Sequence, residues 1–421
     1  MKKEFNISNY VEDYAKLIHS KNNRHTPFHR WYPFIEGFSG DFINKIIGNL
    51  EYQPSCCLDP FAGSGTTPLV CQDNELKCIS FEINPFLFDL MRVKLRRDYD
   101  YRKLESIVTS MNKNLNKYRK KRSYPKVETQ TLFEREGLEK WVLNKEVIWG
   151  ILDIFEEIES LKNENKDLFR IALASNLLPV SNVFRNGKCL SYKPNWRKIK
   201  ISRKDVHHKF INTCNVFLED IKKINEKRID NSKLCFTGDA RGLINTLRDN
   251  SIDLVITSPP YLNSRDYTDV YRLELWMLGY IKTFKEEREL RRSSLRSHVQ
   301  VAWDELPILN NSSVKKVMNK IRKYKKDLWN PTIPKMINGY FCDMNDILKV
   351  LYKKLKSGSD VYIVVGNSFY KGIHIKVDEI TAEIARNLSY QVIGIRVGRY
   401  TKTSGQQKSK RIRESVVVLR K

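Results

Sequence analysis

The sequence is short of several things. No stretch of its 421 residues approaches the roughly 18 consecutive apolar residues of a membrane-crossing helix. Met1-Lys2-Lys3-Glu4-Phe5-Asn6 runs on into polar residues without the apolar core of a signal peptide. The expected location is therefore the cytoplasm, with no membrane partner. There are eight cysteines, at 56, 57, 71, 78, 189, 214, 235 and 342, and none forms a C-x-x-C pair. That spacing suggests neither a zinc site nor a disulfide framework, so reduced thiols and no metal are expected. No Gly-Lys-Ser/Thr follows a glycine loop, which excludes a P-loop grip on nucleotide phosphates. Low-complexity repeats are absent. Acidic residues are outnumbered, 49 Asp+Glu against 75 Lys+Arg, for a formal net charge of +26.

What is present can build a large core. Hydrophobic residues make up 41% and aromatic residues 11%, which excludes global disorder, and the length suggests two or three domains. The positive charge is segmental. Residues 94–126 carry +9, 185–210 carry +8, 282–335 carry +8 and 398–421 carry +7, so everything else sums to −6. Basic stretches around a near-neutral remainder suit a polyanionic partner, with solvated Lys-rich helix faces as the competing reading.

Periodicity divides the chain into three parts. Residues 1–100 begin with a polar, partly helical arm and the aromatic cluster His25-Thr26-Pro27-Phe28-His29-Arg30-Trp31-Tyr32-Pro33-Phe34. A helix is predicted over 41–50, where Phe42, Ile43, Ile46 and Ile47 recur at 3–4 spacing. A strand over 56–59, a glycine loop, a helix over 67–73 and a strand over 77–82 then form the βαβ opening of a doubly wound sheet. Over 101–229 the alternation stops, and helical periodicity at 102–121, 145–161, 165–178 and 205–227, with a basic loop at 185–200, predicts a mainly helical inserted domain. Strand-like runs resume over 230–421, at 234–237, 252–257, 361–365, 390–395 and 415–419, with a helix at 338–355 and a basic insertion at 282–335. The expected fold class is α/β, a Rossmann-like doubly wound sheet with a helical insertion.

Three motifs lie where ligands bind in such a sheet. Asp59-Pro60-Phe61-Ala62-Gly63-Ser64-Gly65 joins a strand to a helix, and its glycines permit a tight turn and a close ligand approach. Glu82 ends the next strand, where a carboxylate can accept from a ribose 2′- and 3′-hydroxyl pair. Ser258-Pro259-Pro260-Tyr261 ends an apolar strand, because two prolines cannot continue a central strand and send the chain out at the ligand-binding edge. A hydroxyl, a fixed carbonyl and a flat ring together could hold a planar amine. Plain turns and a solvated Glu are the competing readings.

The pair Asp59–Gly65 and Thr257-Ser258-Pro259-Pro260-Tyr261 resembles the amino-group DNA methyltransferases, over about 25–100 and 230–421. Ser-Pro-Pro-Tyr resembles mostly the cytosine-N4 branch. The resemblance implies S-adenosylmethionine as cofactor and double-stranded DNA as partner. It implies a restriction-modification role in a bacterial or archaeal cell, near the nucleoid, with a possible cognate endonuclease. It also implies that Asp59, Phe61, Gly63 and Gly65 line the methionine part of the cofactor, with Pro60 and Ala62 in the same cofactor-binding loop. Glu82 would hold the ribose, and Asp239, in Gly238-Asp239-Ala240, would accept from the adenine amino group. Phe38, in the aromatic segment 32–42 with Phe34, would lead into the pocket. Helix capping by Asp239 and core packing of the aromatics are the alternatives.

On this reading the target base is flipped out, Tyr261 stacks on it, and Ser258 and the Pro259 carbonyl accept its amino protons. Pro260 completes the rigid catalytic loop. A cytosine-C5 enzyme is disfavoured because no Cys follows Pro. Adenine-N6 transfer, RNA base methylation and non-catalytic DNA binding remain the alternatives. DNA recognition is expected from 101–229, with 282–335 competing. The run 119–122 is expected at phosphates or solvent, and the run 408–413 is expected to flank the DNA cleft. Arg288, Arg291 and Arg292 are expected at phosphates, guanine edges or solvent. Asn263, Arg265, Asp266 and Tyr267 could shape the base pocket.

Overall fold

Short β-branched runs separated by amphipathic helices dictate the architecture seen in the computed structural model, which describes residues 4–118, 121–186, 189–224, 229–262, 266–402 and 411–421. Arg119, Lys120, Asn263, Arg265, Lys408 and Lys410 thus lie outside the described residues. The chain opens with β1 (Ile7–Asn9), α1 (Val11–Tyr14), α2 (Gly40–Gly48), β2 (Cys56–Asp59), α3 (Thr66–Asp73), β3 (Lys77–Glu82) and α4 (Pro85–Leu95). It continues with α5 (Tyr101–Leu115), α6 (Lys145–Glu159), α7 (Asn163–Val180), β4 (Val183–Arg185), β5 (Leu190–Tyr192) and α8 (Arg203–Ile221). Next come β6 (Cys235–Thr237), α9 (Ala240–Thr246), β7 (Ile252–Thr257), α10 (Tyr267–Val270), α11 (Arg272–Met277), α12 (Phe284–Ser293) and α13 (Ser312–Lys323). The last elements are α14 (Ile333–Lys354), β8 (Leu355–Gly366), β9 (Ser368–Tyr370), β10 (Ile373–Ile375), α15 (Val377–Asn387), β11 (Gln391–Lys402) and β12 (Arg411–Arg420).

Eight strands form one sheet in the order β1-β11-β12-β8-β7-β2-β3-β6. From β8 to β6 neighbouring strands are parallel, β12 runs antiparallel between β8 and β11, and β1 lies parallel to β11. This is the doubly wound α/β sheet expected. Both faces are covered. Val361, Ile363 and Val365 of β8 pack with Ile337, Tyr340 and Met344 of α14, whereas Tyr362 and Val364 belong to the opposite layer with Phe42 and Ile46 of α2. The strand order reverses between β2 and β7, since the chain runs outward from β2 through β3 to β6 and then returns to β7. Ligand crevices form at such a switch point, outside the carboxyl ends of the strands. No helix among the described residues is long and apolar enough to cross a membrane.

The helices between β3 and β6 share a hydrophobic cluster with the site's surroundings. Val147, Ile151 and Ile158 of α6 and Phe210 and Phe217 of α8 join Trp31, Tyr32 and Tyr271 in one core. Trp31 stacks on Phe217 with ring centroids 4.1 Å apart. Buried Asp220 of α8 accepts from the Phe28 N–H, the Arg30 guanidinium and the Trp31 indole N–H, each within 3.1 Å. Those bonds fix the aromatic cluster against α8. Where α6 crosses α8, Gly150 permits contact: a Cβ there would stand 2.8 Å from the Val206 Cβ and 3.0 Å from the Arg203 carbonyl oxygen. Gly150→Ala is therefore expected to destabilise the protein by about 1–3 kcal/mol despite alanine's better helix propensity, read as a lowered denaturation midpoint.

Some local expectations differ. The N-terminal arm is not merely polar and helical. Residues 7–9 form the edge strand β1, anchored by the Ile395 N–H to the Asn6 carbonyl at 2.8 Å and the Tyr10 N–H to the Val397 carbonyl at 2.9 Å. Three residues carry too little periodicity to signal a strand. The basic loop at 185–200 contains half of the β4–β5 hairpin. β8 starts six residues before the apolar run, because its first residues pair across a register shift with β7.

Candidate functional site

The loop after β2 is shaped by two left-handed glycines. Gly63 has φ +55°, and a Cβ there would sit 2.9 Å from Cζ of Phe34, so the Phe34 ring lies directly on the loop. Phe34 in turn stacks on Tyr271 at 6.0 Å with an interplanar angle of 8°, and the Tyr271 hydroxyl donates to Glu36 at 2.5 Å. Gly65 has φ +82° and starts α3, with Met91 where a side chain would be. Underneath, fully buried Lys94 donates to the Ser64 carbonyl at 2.7 Å, and burial pulls its pKa down to about 7.

The two strand-end carboxylates meet this loop. Asp59 Oδ1 accepts from the Thr257 hydroxyl at 2.7 Å and the Phe61 N–H at 3.0 Å. Glu82 accepts from the Gly63 N–H through one oxygen and the Asn84 N–H through the other, both at 2.8 Å, and so ties the ends of β2 and β3 together. Burial pushes both pKa values up to about 7, against the lowering effect of those hydrogen bonds, and the Asp59 charge adds to the rise at Glu82. Among the described residues neither carboxylate has an ion-pair partner. A cavity with two such groups favours a ligand bearing positive charge and hydroxyl donors.

The catalytic-loop candidates leave β7 beside them. The Ser258 hydroxyl donates to the Val364 carbonyl at 3.3 Å, leaving its lone pairs as acceptors. The Tyr261 ring lies on Gly366, where a Cβ would be 2.8 Å from its Cδ2, and its hydroxyl donates to Glu414 at 2.5 Å.

One cavity brings most of the predicted residues together: Phe38, Asp59, Pro60, Phe61, Ala62, Gly63, Glu82, Asp239, Ser258 and Pro260 all line it. Gly65, Pro259 and Tyr261 are not among its lining residues. Gly65 serves the start of α3, Pro259 is buried, and Tyr261 reaches across the end of β8. Phe38 is 5% exposed and packs on Phe42, so it belongs to the core as well as the wall. Asp239 caps α9 through the Arg241 N–H at 2.9 Å and also pairs with the Arg241 guanidinium. The far wall adds Asp266, Tyr267, Thr268, Ser294 and His298. Asp266 and Tyr267 carried a sequence signal in their closeness to the proline loop. His298, whose imidazole lies 3.0 Å from the Ser294 hydroxyl, had none. Cys57, Cys71 and Cys78 bring their sulfurs within 4.8 Å of one another in the buried core behind β2, a grouping invisible in their spacing.

The basic stretches need correcting at several arginines. Arg291 is bound by Asp266 and Asp269, both at 2.6 Å, so it supports the cavity wall instead of facing a nucleic acid. Arg122 and Arg203 are held by buried Asp153, and Arg413 by Asp378. Arg288 and Arg292 are exposed, as are Lys315, Lys316, Lys320, Lys325 and Lys326 on and after α13, beside Tyr324 and the 68% exposed Trp329.

Residues 15–93, which contain the glycine loop and Glu82, match the family model described as DNA methylase. Over 440 residues the chain is 28% identical to the Type II methyltransferase M.AvaI of Nostoc sp. and to that of Anabaena variabilis, covering 96% of this chain and 89% of each relative. It is 25% identical over 485 residues to the Type II methyltransferase M.BsoBI of Geobacillus stearothermophilus, covering 100% of this chain and 91% of the relative.

Proposed function

We propose that this chain, which resembles the amino-group DNA methyltransferases in its motifs and Type II methyltransferases over nearly its whole length, methylates the exocyclic N4 amino group of cytosine at a specific site in duplex DNA. The observation that carries this reading is the shared cavity: two buried carboxylates, with no ion-pair partner among the described residues, face the same space as Ser258 and Pro260. S-adenosylmethionine fits that donor set, being cationic at one end and carrying a ribose diol. When bound, it supplies a methyl group on an already activated sulfonium.

The chain's own residues bind, orient and exclude water. Asp59 offers negative charge toward the methionine part, Glu82 accepts from ribose hydroxyls, and Phe34 and Phe61 close apolar surface over them. Ser258 and the Pro259 carbonyl accept hydrogen bonds from the two amino N–H groups of the target base, which favours a more tetrahedral nitrogen with its lone pair free to react. Tyr261 supports a base turned out of the duplex, a rotation that costs a few kcal/mol. Most of the rate then comes from positioning. The Ser-Pro-Pro-Tyr loop favours cytosine over adenine.

Residues 101–229 and 282–335 are the candidate DNA-facing insertions, and exposed lysines with Tyr324 and Trp329 favour the second as a backbone grip. The likeness to type II enzymes supports a restriction-modification role beside a cognate endonuclease.

The test is incubation with labelled S-adenosylmethionine and mixed-sequence duplex DNA, followed by digestion to nucleosides. N4-methylcytosine is the expected product. N6-methyladenine would change the target base, and transfer to RNA alone or to nothing would overturn the reading. DNA affinity is also expected to fall steeply with salt, whereas cofactor affinity stays nearly constant. Lys325→Glu with Lys326→Glu should flatten the slope of log K against log salt by about 2, measured by fluorescence anisotropy.

A further inference from the structure

The ring of Tyr261 is held at three places by three different strands. Pro260 precedes it as the chain leaves β7. Gly366, the last residue of β8, lies under the ring, with room for no side chain: a Cβ would be 2.8 Å from Cδ2 and 3.0 Å from Cε2. The hydroxyl passes over the end of β8 and donates at 2.5 Å to Glu414 of β12. Glu414 is only 4% exposed and stands opposite both Gly366 and Arg399 in the strand registers. Its second oxygen accepts from Arg399 Nε at 2.5 Å. Burial, with the Glu414 charge next, raises the Tyr261 pKa well above its ordinary value, so the phenol keeps the proton that this bond uses.

A tyrosine used only for its flat face has no need of a buried, arginine-backed carboxylate at its tip. An unpaired carboxylate in that position would carry a large desolvation cost. With Arg399 it becomes a fixed acceptor on the rigid β11–β12 pair. We propose that Glu414, backed by Arg399, is a positioning residue for the methyl-transfer site: it fixes the plane of Tyr261, and hence the base stacked on it, to the C-terminal strands of the sheet. This inference rests on the DNA methyltransferase reading. The hydroxyl of Tyr261 then contributes to turnover although it touches neither base nor cofactor.

The test compares Tyr261→Phe, Glu414→Ala, Glu414→Gln and the double variant Y261F/E414A on the duplex that the wild-type protein methylates. Each is followed by kcat, by KM for DNA, and by the fluorescence of 2-aminopurine at the target position. Y261F and E414A should each lower kcat roughly 10-fold, and the double variant should fall no further, because both remove the same bond. E414Q keeps an amide oxygen for the phenol but turns its NH2 toward Arg399, so its kcat should fall less than that of E414A. The 2-aminopurine signal should change in Y261F and E414A and less in E414Q, and cofactor affinity should be unaltered in all four. A purely packing role would move stability and leave the split between kcat and KM and the fluorescence unaltered. Y261F keeps every carbon contact, so wild-type kcat in Y261F overturns the inference even where E414A weakens the fold. Losses that multiply to about 100-fold in the double variant overturn it too. A wild-type protein that methylates no DNA overturns both this inference and the reading beneath it, whereas an active wild type with unaffected variants overturns this one alone.

Discussion

Asp59→Asn is expected to weaken S-adenosylmethionine binding roughly 10- to 100-fold, the worth of a charge-assisted contact in a partly buried site, while the apo protein melts no lower than wild type. Asparagine presents an oxygen in the same place, so the Thr257 hydroxyl and the Phe61 N–H keep their acceptor. Only the charge is lost. Burial has raised the folded Asp59 pKa from 3.8 to about 7, so the native state holds this proton more tightly than the unfolded chain. The stability tied to Asp59 is therefore greatest at low pH and declines as pH rises from about 4 to about 7. The substitution removes that decline, and at pH 8 the variant should melt higher than wild type. Glu82, raised from 4.5 to about 7, has the same sign. Binding runs the other way: a cationic ligand needs the carboxylates ionised, so wild-type affinity should drop about 10-fold per required carboxylate between pH 8 and pH 6. Isothermal titration and thermal denaturation at the two pH values check all of this. Undiminished cofactor affinity in the variant would remove Asp59 from the binding site.

Tyr261→Ala should reduce single-turnover methylation of DNA by roughly 100-fold or more, with cofactor affinity within about 2-fold of wild type. Loss of stacking alone is worth about 1–3 kcal/mol. The variant also leaves a void over Gly366 and removes the hydroxyl from buried Glu414, so stability should fall by about 2–4 kcal/mol. Rates must accordingly be taken well below the variant's melting transition. A wild-type single-turnover rate under those conditions would exclude Tyr261 from base capture.

Much of the fold was legible because its strands are short apolar runs with both faces buried, as at 252–257 and 361–365, and because double prolines and paired glycines leave few backbone choices at 258–261 and 59–65. The same punctuation located most of the cavity wall. What escaped were contacts between segments far apart in sequence. Asp220 fastens the 28–31 cluster across about 190 residues. Phe34 lands on Gly63, Arg291 turns inward to Asp266, and His298 enters the wall from a segment with no motif. Tyr261 finds Glu414 across 153 residues. The edge strand β1 escaped for a different reason, since its pairing comes from β11 and not from its own three residues.

By itself the sequence determined which chemical groups stand at the carboxyl ends of β2, β3 and β7, because backbone punctuation is a local property of glycine, proline and β-branched residues. It also determined the size of the charge excess. Only the tertiary structure decided which of those charges remain exposed and which are paired inside. An ion pair depends on distances of a few ångströms between groups that the chain brings together from anywhere along its length. Arg122, Arg203, Arg291, Arg399 and Arg413 in the basic stretches are thereby struts, held by Asp153, Asp266, Glu414 and Asp378, while Lys315, Lys316, Lys320, Lys325 and Lys326 stay at the surface.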